Sequence, residues 1–256
     1  MKNVGTLKFE DFGFSMPVTD QSFPSPPSIF RDCEQFGIFF EMDYDSVKHR
    51  LPEPLEFYGE TPSGMLLCSN FGFVSDSSPF LEFELIYHVS YEGKPFDYVI
   101  NCFVSGESGM TVGREVYGYP KKMAHMEIHH KNELVTMTAD RPPGMRLLTA
   151  MVKPLQPMEP DVSGHHDSLC LKVIPGPVTG GPPQVCQLVG VEFYPTTNIG
   201  SDGVAEYYNA EGHIEWGSAS PFDPWHETSI TKITSAYYTR LNAIIPNGYV
   251  VHDYLK

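Results

Sequence analysis

The chain has 256 residues, and its 32 acidic residues outnumber its 17 lysines and arginines, which gives a formal net charge of −15 at pH 7. This charge argues against binding to nucleic acid or to an anionic membrane surface. Hydrophobic residues make up 41% of the chain, which excludes wholesale disorder, and no run approaches the roughly 18 apolar residues of a membrane span. No apolar signal-peptide core follows the N-terminus, so we expect a cytoplasmic protein.

The domain organisation and the cysteines are both simple. No internal repeat and no linker-like tract divides the sequence, so we expect a single domain over residues 1–256. The five cysteines are odd in number and form no C-x-x-C motif. That pattern is typical of free thiols in a reducing compartment.

Short strands bounded by Gly, Pro, Asn or Asp dominate the predicted secondary structure. The clearest is Leu81–Tyr91, where apolar or aromatic residues alternate with mostly polar ones, as in a half-buried strand. A turn at residues 92–95 separates it from Tyr98–Val104, which predicts a hairpin. In chain order, the predicted strands are Phe36–Glu41, Met65–Phe71, Leu81–Tyr91, Tyr98–Val104, Met126–His130, Leu134–Thr138, Leu169–Ile174, Val185–Tyr194 and Tyr249–Tyr254.

Helical signals are few. Asp43–Leu51 begins with acidic capping residues, ends in basic ones and stops at Pro52. Ser108–Tyr117 predicts a second short helix that is weakened by two glycines. Many short strands with few helices favour a barrel or a sandwich.

One segment concentrates basic residues in this acidic chain. Within residues 113–124, Arg114, Lys121 and Lys122 fall in nine positions, and aromatic and apolar side chains surround the two lysines. An ordinary lysine is protonated at neutral pH, but burial or a nearby cation lowers its pKa, and the neutral amine can then form a Schiff base with a ketone. The alternative is a solvated Lys-Lys turn, and the residues alone leave both interpretations open.

Four segments resemble the acetoacetate decarboxylase family. The motif G-R-E-x-x-x-Y-P-K-K, which begins at Gly113, resembles the family's active-site stretch. Leu51–Glu56 resembles its "PEPLE" segment, Leu171–Pro175 its "LKIIP" strand, and Asp253–Lys256 its C-terminal end. These landmarks occur in family order, so the resemblance covers nearly the whole chain.

The resemblance implies a mainly β, single-domain, cone-shaped antiparallel β-barrel with a few short peripheral helices, usually assembled as a homo-oligomer. It implies no cofactor and a small keto acid as substrate. By the same resemblance, Lys121 would form the Schiff base and Lys122 would be the neighbouring cation that tunes its pKa.

A carboxylate is expected beside the lysine. Glu82 matches a family active-site glutamate whose role would be positioning or proton transfer. Glu84 is an equal structural candidate on the same predicted strand. If Phe83 and its apolar neighbours face a core, Glu82 faces away from it. This conflict disappears if the lumen is a partly polar cavity and the apolar face packs outward against a second layer.

Other site residues follow from the resemblance, with one clear departure. Arg114 and Glu115 belong to the motif, and Glu34 matches a residue of the family's N-terminal segment, so all three are assigned to substrate binding or to tuning of the lysine. Cys33 falls where the decarboxylases have a substrate-pocket arginine. Arg31, two positions away, would substitute for it only if the backbone shifts.

The expected reaction is decarboxylation of a β-keto acid through a lysine iminium and an enamine. The nearest alternative is an aldolase-dehydratase that condenses a keto acid such as pyruvate with an aldehyde. An alternative of another class is a non-catalytic barrel that binds an apolar metabolite. Because Cys33 replaces the arginine, and residues 65–67 lack a second family glutamate, we expect weak or absent turnover of acetoacetate.

No metal site is expected, because the histidine spacing matches no strong ligand motif. The histidines considered are His125, His129, His130, His165 and His166.

Overall fold

The protein is described here by a computed structural model, in which residues 4–160 and 166–256 are described. The fifteen strands are β1 (Ser28–Met42), β2 (Glu56–Phe57), β3 (Ser63–Val74), β4 (Phe80–Tyr91), β5 (Lys94–Val104), β6 (Lys121–Met123), β7 (His125–Lys131), β8 (Leu134–Asp140), β9 (Arg146–Pro157), β10 (Ser168–Ile174), β11 (Val185–Val191), β12 (Tyr194–Thr197), β13 (Tyr207–Trp216), β14 (Ile230–Ile245) and β15 (Tyr249–Asp253). The helices are α1 (Tyr44–Val47), α2 (Glu107–Val112), a π-helix at Gly113–Tyr117 and 3-10 turns at Phe9–Asp11, Lys48–Arg50 and Trp225–Glu227.

All fifteen strands belong to one sheet. The main path runs β15-β11-β10-β5-β4-β3-β1-β14-β13-β9-β8-β7, while β12 pairs with β14, β2 with β4 and β6 with β5. Most pairs are antiparallel, but β5 pairs in parallel with β10 and with β6. Within the described residues the path does not return from β7 to β15. The mainly β class with a few short helices is therefore confirmed, and closure into a barrel is not.

Each predicted strand falls within an observed one, with two exceptions: Val185–Tyr194 is divided between β11 and β12, and Tyr249–Tyr254 extends one residue beyond β15. The predicted helix at Asp43–Leu51 is α1 with its 3-10 continuation, and the Asp43 carboxylate caps it by accepting the Ser46 N–H at 2.9 Å. The second predicted helix corresponds to α2 with the π-helix. Five of the described strands were not predicted, namely β2, β6, β9, β13 and β14. In β13 no side chain is fully buried, so its apolar period is weak.

The two faces of β4 have different environments. Its odd-numbered residues Phe83, Leu85, Tyr87 and Val89 are fully buried and pack in an apolar core. The register carries this face across β3 and β1, since Phe83 lies opposite Cys68, which lies opposite Phe36. The even-numbered residues of β4 face a cavity on the other side of the sheet. The apolar face of β4 thus packs in a core on the side away from the cavity, so Glu82 can face the cavity while its apolar neighbours are buried.

No helix among the described residues is long and apolar enough to cross a membrane.

Candidate active site

A cavity of about 810 Å³ lies on the face of the sheet that carries the even-numbered residues of β4. The strand register arranges its polar residues in rows across the sheet. In one row, Gln35 lies opposite Ser69, and Ser69 lies opposite Glu82. In the next row, Glu84 lies opposite Cys102, which pairs with Lys121. The register therefore brings both β4 glutamates next to the lysine.

Lys121 is the buried amine of this cavity. Only 7% of the residue is exposed, and its Nζ lies 2.5 Å from Glu82 Oε2. The Nζ also lies 5.3 Å from the centre of the Phe80 ring and 5.1 Å from that of Tyr119. A lysine that is held against a carboxylate and two aromatic rings is fixed in position and shielded from bulk water.

The G-R-E motif shapes the backbone around Lys121. A side chain at Gly113 would place its Cβ 2.7 Å from Lys121 Cδ and Cε, so only glycine leaves room for the lysine stem. Arg114 is exposed, and its Nη1 donates to the Lys121 carbonyl at 3.0 Å. Gly118, with φ of 88°, ends the π-helix in the left-handed conformation that glycine adopts readily. Glu115 is exposed and acts electrostatically on Lys172, outside the cavity.

The three titratable groups Lys121, Glu82 and Glu84 influence one another. Burial is the largest single effect on Lys121 and lowers its pKa, but the charge of Glu82, the neighbouring Cys102, the hydrogen bond to Glu82 and the charge of Glu84 together outweigh burial and hold that pKa above its ordinary value. Burial, followed by the charge of Glu82 and a hydrogen bond to it, raises the pKa of Glu84 well above its ordinary value. Glu84 is therefore protonated and donates to Glu82. The expectation of a lowered Lys121 pKa is wrong for this paired arrangement.

Lys122 is not the neighbouring cation that the resemblance implied. Alternation along β6 turns it away from Lys121, and 44% of its side chain is exposed. Its Nζ donates to Asp223 Oδ1 at 2.8 Å and to the Phe222 carbonyl at 2.5 Å. Its charge is neutralised there, so it does not lower the pKa of the buried amine.

The N-terminal candidates also lie outside the cavity. Arg31 is exposed, and Glu34 is buried on the opposite face of β1, where it accepts from the Tyr238 hydroxyl at 2.7 Å. Cys33 is fully buried, and burial and then the charge of Asp32 raise its thiol pKa to about 12. The thiol stays neutral and does not replace a cation. Among the described residues that line the cavity there is no arginine.

Sequence reasoning missed a second polar group in the same cavity. His88 Nδ1 lies 2.7 Å from Asp97 Oδ1, and His166 Nδ1 lies 3.6 Å from the same oxygen. Burial raises the pKa of Asp97, but its interactions with the two imidazoles together outweigh burial and hold that pKa below its ordinary value. The alternation of β4 places His88 on the same face as Glu82. Asp97 and His166 join it only through the strand pairing.

Among the residues that the structure describes, two groups of side chains have ligand atoms close enough together to surround a metal ion, namely His88–Asp97–His166 and Glu82–Glu84–Cys102. Burial holds the pKa of Glu84 and of Cys102 well above ordinary values, so both would have to lose a proton to bind a cation. Of the histidines considered from sequence, His125 and His129 contact Glu127, and His130 contacts Glu34. His165 lies outside the described residues.

The cavity thus has the features of an enzyme site: a buried amine in contact with one carboxylate, a second carboxyl held in its acid form, and an apolar lining. The sequence model of the acetoacetate decarboxylase family matches residues 15–255, and the chain belongs to that family.

Similarity to individual members extends over nearly the full length. The acetoacetate decarboxylase of Clostridium botulinum (strain Eklund 17B / Type B) is 25% identical over 245 residues, which cover 94% of this chain and 95% of the relative. A solved acetoacetate decarboxylase matches 98% of this chain and all of its own with a TM-score of 0.87 at 23% identity. The enduracididine biosynthesis enzyme MppR, complexed with the condensation product of pyruvate and imidazole 4-carboxaldehyde, has a TM-score of 0.78 at 16% identity, with 98% and 100% of the two chains covered.

Proposed function

We propose that this protein is a Schiff-base-forming lyase that decarboxylates a 3-keto acid, with Lys121 as the nucleophile and Glu82 as its proton partner. The observation that supports this most directly is the contact of 2.5 Å between the buried Lys121 Nζ and Glu82 Oε2. Membership of the acetoacetate decarboxylase family supports a decarboxylase-type lyase.

The first chemical requirement is a neutral amine. Transfer of a proton from Lys121 to Glu82 converts the ion pair into a neutral amine and a neutral acid. Burial disfavours the two charges and so offsets part of the cost of this transfer, while the attraction to Glu82, which holds the pKa of Lys121 above its ordinary value, opposes it. Glu84, already protonated, donates to Glu82 and holds its carboxyl group in place. The amine then attacks the ketone carbon of the substrate.

The remaining steps use the same two groups. Attack by Lys121 gives a carbinolamine, which loses water to form an iminium when Glu82 returns its proton to the leaving hydroxyl. The bond between the α-carbon and the carboxylate then breaks, carbon dioxide leaves, and the electron pair moves into the iminium to give an enamine. Protonation of the α-carbon and addition of water release the ketone and restore the amine.

Trapping of the imine tests the proposal. Acetoacetate and other 3-oxo acids would each be incubated with the protein and borohydride, and the adduct would be located by peptide mass mapping. We expect the adduct on Lys121 and loss of both adduct and turnover in Lys121→Ala. Lys122→Ala is the matched control, because its side chain points away from the cavity. Absence of an adduct with every keto acid, in folded protein, would refute a Schiff-base mechanism and favour a binding protein.

A second candidate function uses the same lysine. The fold similarity to MppR, whose complex contains a condensation product of pyruvate, favours testing aldol condensation followed by dehydration. Pyruvate and a series of aldehydes would be assayed beside the 3-oxo acids. Condensation without release of carbon dioxide from any 3-oxo acid would support the aldolase-dehydratase and reject the decarboxylase.

A further inference from the structure

The cavity is much larger than acetoacetate requires. Acetoacetate has seven non-hydrogen atoms, and even at the roughly 30 Å³ that liquid water gives each molecule it would fill only about 210 Å³. The cavity measures about 810 Å³, which lies in the range of sites for larger organic ligands. A cavity of this volume has room for a substrate that extends well beyond the reacting carbons.

The strand register gives the order of polar and apolar rows of residues along the cavity. Glu84 lies in the row of Lys121. The next row along β4 is apolar: Ile86 lies opposite Met65, and Met65 lies opposite Phe39. All three line the cavity. One row further, His88 lies opposite Asp97. An apolar band thus separates the reactive amine from a second polar group.

The length of this band follows from strand geometry. Glu84 and His88 are four residues apart on β4, which corresponds to about 13 Å between their Cα atoms. An extended chain advances about 1.2 Å per bond. After allowance for the reach of the side chains, a chain of about six to eight bonds connects a carbonyl carbon at Lys121 to a hydroxyl oxygen beside His88.

The distal polar group has a defined hydrogen-bonding character. The Nδ1 of His88 lies at hydrogen-bond distance from Asp97, so in the neutral imidazole the proton on Nδ1 points to that carboxylate and Nε2 is left as an acceptor. Stacking against the Phe39 ring, with 6.1 Å between ring centres, holds the imidazole in place. An acceptor that is fixed at the far end of an apolar band suits a ligand with a terminal hydroxyl group.

We infer that the preferred substrate is a 3-oxo acid of about eight to ten carbons with a hydroxyl group at its far end, seated along Ile86 and Met65 with the hydroxyl at His88. This inference rests on the proposed function of Lys121. It extends that function from the reacting atoms to the part of the substrate that does not react.

Three substrates test the inference. The values of kcat/KM for carbon dioxide release would be compared among acetoacetate, 3-oxooctanoate and 8-hydroxy-3-oxooctanoate, each corrected for spontaneous decay. Each buried methylene raises kcat/KM about fourfold, so kcat/KM for 3-oxooctanoate should be at least about ten times that for acetoacetate. The terminal hydroxyl group should make kcat/KM for 8-hydroxy-3-oxooctanoate about five times that for 3-oxooctanoate.

Variants separate the two parts of the site. His88→Ala should abolish the preference for the hydroxylated substrate while the preference for chain length remains. Ile86→Phe, which narrows the apolar band, should reduce the ratio of 3-oxooctanoate to acetoacetate. The matched control is His129→Ala, an exposed histidine outside the cavity, which should change neither ratio.

The outcomes distinguish this inference from the proposed function. Equal or greater efficiency with acetoacetate would overturn the inference, while a borohydride adduct on Lys121 would leave the proposed function intact. A hydroxyl preference that persists in His88→Ala would overturn the assignment of the distal group. Failure of all three substrates to form an adduct would refute the proposed function itself.

Discussion

Replacing Glu82 and Glu84 together by glutamine should turn Lys121 into a neutral amine at lower pH. At 2.5 Å and an effective dielectric constant of about 20, the attraction between Lys121 and Glu82 is about 7 kcal/mol. One pKa unit corresponds to about 1.4 kcal/mol, and this attraction is one of the contributions that together outweigh burial and raise the pKa of Lys121. Replacing both carboxylates removes the contributions of Glu82 and Glu84, and burial, the largest single effect, then lowers the pKa.

The single variant Glu82→Gln should have a smaller effect than the double variant. The charge of Glu82 and the hydrogen bond to it are two of the causes that raise the pKa of Glu84. Once Glu82 is neutral, the pKa of Glu84 falls, and Glu84 ionises in its place beside the lysine. The negative charge therefore survives the first substitution and is lost only with the second.

The assay is trapping of a small ketone by cyanoborohydride as a function of pH, with the adduct on Lys121 quantified by mass spectrometry. The midpoint of adduct formation should move down by about two pH units or more in the double variant. Lys121→Ala provides the blank, and circular dichroism checks the fold. An unchanged midpoint in the folded double variant would refute the claim that the carboxylates determine the charge of this amine.

Three further substitutions test the site. In the wild type, the free energy of unfolding should fall as the pH rises above about 5, because the unfolded Glu84 carboxyl, with a pKa near 4.5, releases a proton that the folded one keeps. Glu84→Gln should reduce this slope by up to about 1.4 kcal/mol per pH unit, as measured by urea unfolding. Gly113→Ala should lower kcat/KM by about 10²-fold without unfolding the protein, because the new Cβ displaces the Lys121 stem; unchanged activity would contradict this. Lys122→Ala should cost at most about 1 kcal/mol in thermal unfolding and leave activity within a few-fold, since it loses only a half-exposed ion pair with Asp223.

The strands that alternate clearly were predictable, and so was the site segment that they position. The alternation of β4 located both glutamates on one face, and the motif at Gly113 located Lys121. Local sequence did not reveal β14, whose burial follows a period of two only from Thr239 to Ile244. Nor did it reveal that Glu34 faces away from the cavity, because a bulge between Phe30 and Cys33, where Asp32 adopts a φ of 51°, offsets the register of β1.

The charge state of Lys121 could not be predicted from the sequence, for a different reason. Adjacent lysines suggested that one cation lowers the pKa of the other, but alternation along a three-residue strand separates their side chains. Whether a buried amine is charged depends on the difference between burial and its nearest carboxylate, and both quantities depend on distances between strands. A motif identifies the residues of such a site, whereas its charge state requires the packed structure.

The neutral thiol at Cys33 and the large cavity have a common consequence for substrate choice. A carboxylate that lacks a charge-assisted partner loses about 1.5–3 kcal/mol of binding. Each methylene buried along the apolar band contributes about 0.8 kcal/mol of binding free energy, so two to four methylenes offset that loss. A longer 3-oxo acid can therefore bind through contacts of its chain with the apolar band, whereas acetoacetate depends on its carboxylate. The absence of an arginine from the described cavity lining and the apolar row at Ile86 thus favour the same class of substrate for independent reasons.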